Sequence, residues 1–157
     1  MGFLTGKTAI ITGGGRAVLS NGECGSIGYG IATAYAKEGA NLVVTGRNVQ
    51  KLTDAKEELE KKYGIKVLPV QADVSASADN EAIVQNVVKQ AIDTFGRIDV
   101  LINNAQASAS GVTIADHTTE QFDLAVYSGL YAAFYYMKAC YPYLKETKGS
   151  VINFASG

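Results

Sequence analysis

The 157-residue sequence predicts an α/β fold, a doubly wound parallel sheet in strand order 3-2-1-4-5 with helices on both faces. Three observations predict it. Short runs rich in Val and Ile alternate with stretches of helical apolar spacing from one end to the other. Glycine is in excess, 17 of 157 residues against a usual share of about 7%, and it concentrates before residue 31. Pro69 falls inside the third apolar run, and a strand tolerates a missing N–H at the edge of a sheet, which suits a third strand that ends one side.

The elements follow in order. Residues 8–12 (TAIIT), 41–45 (NLVVT), 66–71 (KVLPVQ), 99–103 (DVLIN) and 150–154 (SVINF) each read as a buried strand, because they are short, β-branched and closed by polar or Gly residues. Between them, 27–37, 49–62, 79–95 and 119–144 are long enough for three or more helical turns and carry apolar residues three and four apart. The order is βαβαβαβαβ, and a right-handed crossover after each strand lays the next one parallel to it. No repeat, low-complexity tract or Pro/Ser linker divides the chain, so residues 1–157 form one domain.

Composition removes several classes of function. Fourteen Lys plus Arg against fifteen Asp plus Glu leave a net charge of −1, without the basic surplus that nucleic-acid binding needs. Cys24 and Cys140 cannot make a disulfide framework, and neither they nor the single histidine, His117, has metal-ligand spacing. No apolar run approaches the ~18 residues of a membrane span, and the first residues lack a signal pattern. A cytoplasmic protein with no metal and no membrane or nucleic-acid partner is expected.

The glycine-rich turn carries the first functional sign. Gly13, Gly14 and Gly15 follow the first strand, and Ser26-Ile27-Gly28 opens the first helix. A dinucleotide needs this strand, loop and helix because its pyrophosphate sits against free N–H groups where side chains would block approach. The spacing is unusual, since residues 16–24 (RAVLSNGEC) read as an insertion, and glycines alone also serve a tight turn. The second strand ends at Gly46-Arg47-Asn48. An acid there accepts from both ribose hydroxyls, whereas Arg47 offers a fork to a 2′-phosphate. NADP is therefore expected over NAD.

With those pieces placed, the chain resembles a short-chain dehydrogenase/reductase over essentially its whole length. Thr12-Gly13 with Ile27-Gly28 resembles the family's Gly-rich signature, and Ala72-Asp73-Val74 its adenine-contacting pair after strand three. Asn103-Asn104-Ala105 resembles its Asn-Asn-Ala-Gly motif, and Asn153-Phe154-Ala155-Ser156 the segment that ends in the catalytic serine. The resemblance implies cofactor contacts at Gly13, Gly15, Ser26, Ile27, Gly28, Arg47, Asn48, Asp73, Val74, Asn104 and Ala105. It gives Ser156 the substrate oxygen, with hydride passing between nicotinamide and a small-molecule carbonyl or alcohol. It also implies a homodimer or homotetramer built on the 119–144 helix.

The departures bear on mechanism. Gln106 stands where the family motif has Gly, and Gly129, beside Ser128, where the long helix usually carries a proton-relaying asparagine. The family's Tyr-x-x-x-Lys lies beyond its serine, so this chain is expected to be the N-terminal part of a longer single-domain enzyme and inactive by itself. The match at Tyr141 and Lys145 precedes strand five, on a helix running away from the cofactor edge; about 20 residues at 1.5 Å each place Tyr141 some ~30 Å from it. Tyr127, Tyr131, Tyr135 and Tyr136 read as a packed or interface face. The longer glycine loop with Ser26 also resembles the enoyl-acyl-carrier-protein reductase branch. A non-catalytic nucleotide-binding module and a methyltransferase-like domain are the readings from other classes.

Overall fold

The computed structural model describes residues 2–75 and 79–155. Five parallel strands, β1 (Thr8–Thr12), β2 (Asn41–Gly46), β3 (Val67–Gln71), β4 (Val100–Asn103) and β5 (Ser150–Asn153), lie in the order β3-β2-β1-β4-β5. The helices are α1 (Ile27–Lys37), α2 (Val49–Tyr63), α3 (Asn80–Phe95), α4 (Thr119–Ala125) and α5 (Ala132–Thr147). Pro69 pairs opposite Val44 on the outermost strand, where its missing N–H faces no further strand.

The apolar runs are continuous because both faces of the sheet are covered. Ile11, Val44 and Ile102 pack with α1 and α2 on one face; Ile10, Val43 and Leu101, one residue along each strand, pack with α3 and α5 on the other. β5 is the exception and corrects the sequence reading. All four of its residues are exposed, with Val151 and Ile152 about 40% accessible. It pairs with β4 alone, and no described element adjoins its outer edge.

The predicted 119–144 helix is also corrected, because it is broken into α4 and α5 by a wider π-helical turn over Val126–Tyr131. Ser128 supplies the physical reason. Its hydroxyl donates to the Leu124 carbonyl four residues back at 2.7 Å, taking an acceptor that the backbone would otherwise use, and it accepts the Ala107 N–H at 2.9 Å. The turn is thereby tied to the loop that follows β4.

Asp99, 3% exposed at the entrance to β4, fixes the opposite edge of the sheet. It accepts the Thr8 N–H at 2.9 Å and a two-pronged Arg97 guanidinium at 2.7 and 2.8 Å. Burial pushes its carboxyl up, but Arg97, the Thr8 N–H and Lys7 together outweigh that and hold it below the ordinary carboxylate range.

Candidate active site

The strand order reverses between β1 and β4, and there the loops at the C-terminal ends of the strands part. Thr12 joins the two sides. Its hydroxyl accepts the N–H groups of Asn104 and Ala105, both at 2.9 Å, and the Asn104 amide donates to the Thr12 carbonyl at 3.0 Å. Gly13 turns the chain with φ +71°, a conformation that disfavours any side chain. A β-carbon on Gly28 would stand 2.0 Å from the Gly13 carbonyl oxygen, so α1 reaches the loop only because residue 28 has none.

Beyond β2 and β3 the chain builds a second flank. The Ala72 N–H donates to the Gly46 carbonyl at 3.0 Å, and the Gln71 amide to the Arg47 carbonyl at 3.0 Å. Asp73 accepts from the Ser75 hydroxyl and from its N–H at 3.0 Å. The Ser75 hydroxyl leads the groups that hold its carboxyl below the usual range, against partial burial and with Arg47 contributing. Asn80, fully buried at the start of α3, donates to the Val74 carbonyl at 2.8 Å. Sequence reasoning missed this support, since a helix-start Asn signals a cap and not a brace.

These flanks border one cleft of about 1140 Å³. Gly13 and Ile27 line it from the glycine-rich turn, Arg47, Asp73 and Val74 from the β2 and β3 ends, and Asn104 and Ala105 from the β4 end. The volume exceeds the 300–1,000 Å³ typical of a single small ligand and suits a dinucleotide together with a second reactant. Four expected contacts do not line it. Gly15 packs on α2, where a β-carbon would stand 3.1 Å from the Lys51 Cβ, and Gly28 lies behind Gly13. Ser26 and Asn48 cap α1 and α2, accepting the Tyr29 N–H at 3.3 Å and the Lys51 N–H at 3.0 Å. Ser156 falls outside the described residues.

The insertion is a small hairpin. Val18 pairs antiparallel with Cys24, Gly25 donates to the Ala17 carbonyl at 2.7 Å, and Arg16 donates its N–H to the Lys51 carbonyl at 2.7 Å. The Arg16 guanidinium also pairs with Glu58 on α2. It holds α2, and it does not enter the cleft.

At the far end, Asn103 and Asn153 pair across β4 and β5, amide to amide at 2.8 Å, and Phe154 and Ala155 continue the wall. The cleft also runs along the first turns of α5, where Tyr136 and Met137 line it. Tyr141 lies one turn past Met137, about 6 Å further along the axis. Tyr141 is nonetheless 63% exposed and does not line the cleft. Tyr136 is buried, and burial pushes its hydroxyl up to about 12.

Residues 7–157 match the short chain dehydrogenase family. The chain belongs to that family. This short-chain dehydrogenase chain is 67% identical over 157 residues to the 12alpha-hydroxysteroid dehydrogenase of a Clostridium species, covering all of this chain and 58% of that protein. It superposes on the L-sorbose reductase of Gluconobacter frateurii, complexed with NADPH and L-sorbose, with a TM-score of 0.83 and 32% identity, covering 99% of this chain and 54% of that one. An NAD+-bound xylitol dehydrogenase gives the same TM-score at 25% identity, covering 98% and 54%. The chain thus spans little more than half the length of these relatives. Membership of the short-chain dehydrogenases overturns the methyltransferase-like reading. No described helix is long and apolar enough to cross a membrane.

Proposed function

We propose that this chain carries the NADP(H)-binding half of a cytoplasmic dehydrogenase acting on a hydroxysteroid or its ketone. The observation that carries the reading is a single cleft running from Arg47 and Asp73, across the Thr12–Asn104 junction, to Asn153 and Ala155. Arg47 meets a 2′-phosphate at one end, where Gly46 offers no carboxylate to a free ribose hydroxyl. Asp73 and Val74 border the adenine, Asn104 and Ala105 the nicotinamide ribose. Gly13 and Gly28 keep side chains away from the pyrophosphate; Ser26, Gly15, Ile27 and Asn48 shape the helix starts behind and beside it. The 67% identity to a 12alpha-hydroxysteroid dehydrogenase supports the substrate class.

When bound, the nicotinamide supplies or accepts the hydride. The chain's own part is placement: Ser156, immediately after the cleft wall of Asn153 to Ala155, holds the reacting oxygen by its hydroxyl. Alcohol oxidation also releases a proton, and the Tyr141–Lys145 match, absent from the cleft lining, does not take it. The 157 residues alone are therefore expected to bind cofactor without turnover, and the intact protein to be a homodimer or homotetramer. The test is to titrate NADP+ and NAD+ into the intact protein and assay a 12α-hydroxysteroid with each. Tighter NADP+ binding with steroid oxidation supports the reading; absence of turnover with either cofactor overturns it.

A further inference from the structure

The two departures from the family pattern, Gln106 and Gly129, lie 23 positions apart in sequence and meet in space. A β-carbon on Gly129 would stand 3.5 Å from the Gln106 Cγ and 3.7 Å from its Nε2. The Gln106 side chain therefore lies against Gly129 in the π-helical turn, at distances where a β-carbon would make ordinary van der Waals contact and a longer side chain would meet it. Both residues line the cleft, at the end bordered by Asn104, Ala105 and Asn153.

The backbone on either side is held. Ala105 is pinned by the Thr12 hydroxyl and Ala107 by the Ser128 hydroxyl, so the residue between them has little freedom to swing its Cα. Its carboxamide, in contrast, makes no hydrogen bond to any described residue. An amide with two donors and one acceptor, unpartnered on a tethered loop and exposed in a ligand-sized cleft, is placed to meet a ligand and contributes no hydrogen bond to the fold. A π-turn at the same point fits that use, since such turns recur at functional sites. Gln106 is exposed on the cleft wall, so its amide is open to an incoming ligand.

We propose that Gln106 is a substrate-contacting specificity residue, whose carboxamide hydrogen-bonds a polar group of the reacting alcohol or ketone, and that Gly129 is the seat that keeps it there. The inference rests on the hydride-transfer reading above.

The experiment compares four forms of the intact protein with NADP+ and a 12α-hydroxysteroid: parent, Gln106→Met, Gly129→Asn, and Gln106→Gly combined with Gly129→Asn. Gln106→Met keeps length without the amide and should raise KM about tenfold, the usual effect of leaving one buried polar partner unsatisfied, with kcat less affected and NADP+ affinity within twofold. Gly129→Asn fills the seat and should raise KM similarly. The double variant removes the collision and should regain more than half of the loss in kcat/KM, a coupling that two independent defects do not show. Thermal midpoints within a few degrees of the parent show that each form folds; if Gly129→Asn does not fold, Gln106→Met decides alone. KM within twofold of the parent in Gln106→Met, or a double variant no better than the product of the singles, overturns the assignment. An inactive parent overturns the hydride-transfer reading on which it rests.

Discussion

The carbonyl oxygen of Gly13 occupies the space a β-carbon on Gly28 would need, at 2.0 Å. Backbone is in contact with backbone, so neither partner can rotate away as a flexible side chain would. The start of α1 and the turn after β1 are in register only while residue 28 is glycine.

Gly28→Ala is accordingly expected to push α1 off the loop and to lower stability by roughly 1–3 kcal/mol, the cost of overpacking a tight site. Cofactor affinity should fall further than that stability loss predicts for a remote site, because the displaced atoms border the proposed pyrophosphate position. Urea unfolding with and without NADP+ measures both. Unchanged unfolding midpoint and affinity would mean that the helix start shifts freely and that the close approach is incidental.

Arg47 stands at the cleft beside Asp73, whose lowered carboxyl pKa includes its influence. In the proposed reading, replacing it by Ala removes one charge-assisted contact to a 2′-phosphate, about 1.5–3 kcal/mol. NADP+ affinity should fall by roughly ten- to a hundredfold while NAD+ affinity stays near that of the parent. Calorimetric titration of both cofactors gives the ratio, and a ratio equal in parent and variant would sink the assignment of Arg47.

Much of this arrangement was legible in the sequence, and the reason is local. Ile10 and Ile11, or Val43 and Val44, are apolar in succession because opposite faces of the sheet each need one, so a continuous run reads directly as a parallel strand. The Thr12–Asn104 hydrogen bonds join residues 92 apart, and nothing in either neighbourhood announces them. The π-turn escaped because one wide turn alters apolar spacing by less than the scatter of an ordinary helix. The exposure of β5 depends on what lies beyond its edge, which apolar composition cannot express. Gly15, Ser26 and Asn48 also serve packing and helix capping, because packing glycines and helix caps use the same residue types as phosphate loops, and composition does not separate the two uses.

Asp99, the most buried of the carboxylates held below their ordinary value, contributes to the pH dependence of stability. In the unfolded chain an aspartate titrates near about 3.9, and the folded protein holds Asp99 below its ordinary value. The depressed value means the ionised form favours the folded state, so the contribution is fully present above the unfolded pKa and is lost as pH falls through the folded one. Asp99→Asn should cost about 1.5–3 kcal/mol at neutral pH, where it weakens the Arg97 and Thr8 contacts to a charged acceptor. The gap between parent and variant should narrow below about pH 4. Urea unfolding at neutral pH and at the lowest pH where both forms remain folded checks it, and a gap that widens on acidification would contradict the sign.

The outer face of α5 and the π-turn gives the last expectation. Leu130, Phe134 and Tyr141 recur at helical spacing with 68%, 52% and 63% of their surface exposed, Leu130 and Phe134 also bordering the cleft, and Tyr131, 43% exposed, stacks on Tyr127 and meets Tyr135 at a tilt beside them. A contiguous apolar stripe of this kind finds another surface in most soluble proteins. A second copy meeting it across a two-fold axis covers the same residues on both chains. Phe134→Asp then removes a buried ring from each side of the interface, about 1.5–3 kcal/mol apiece, and should raise the dimer Kd at least a hundredfold. Sedimentation of the intact protein at micromolar concentration should show a dimer or tetramer that the substitution dissociates, with the thermal midpoint of the variant recorded to separate dissociation from unfolding. A parent that sediments as a monomer would place this stripe against another part of its own chain.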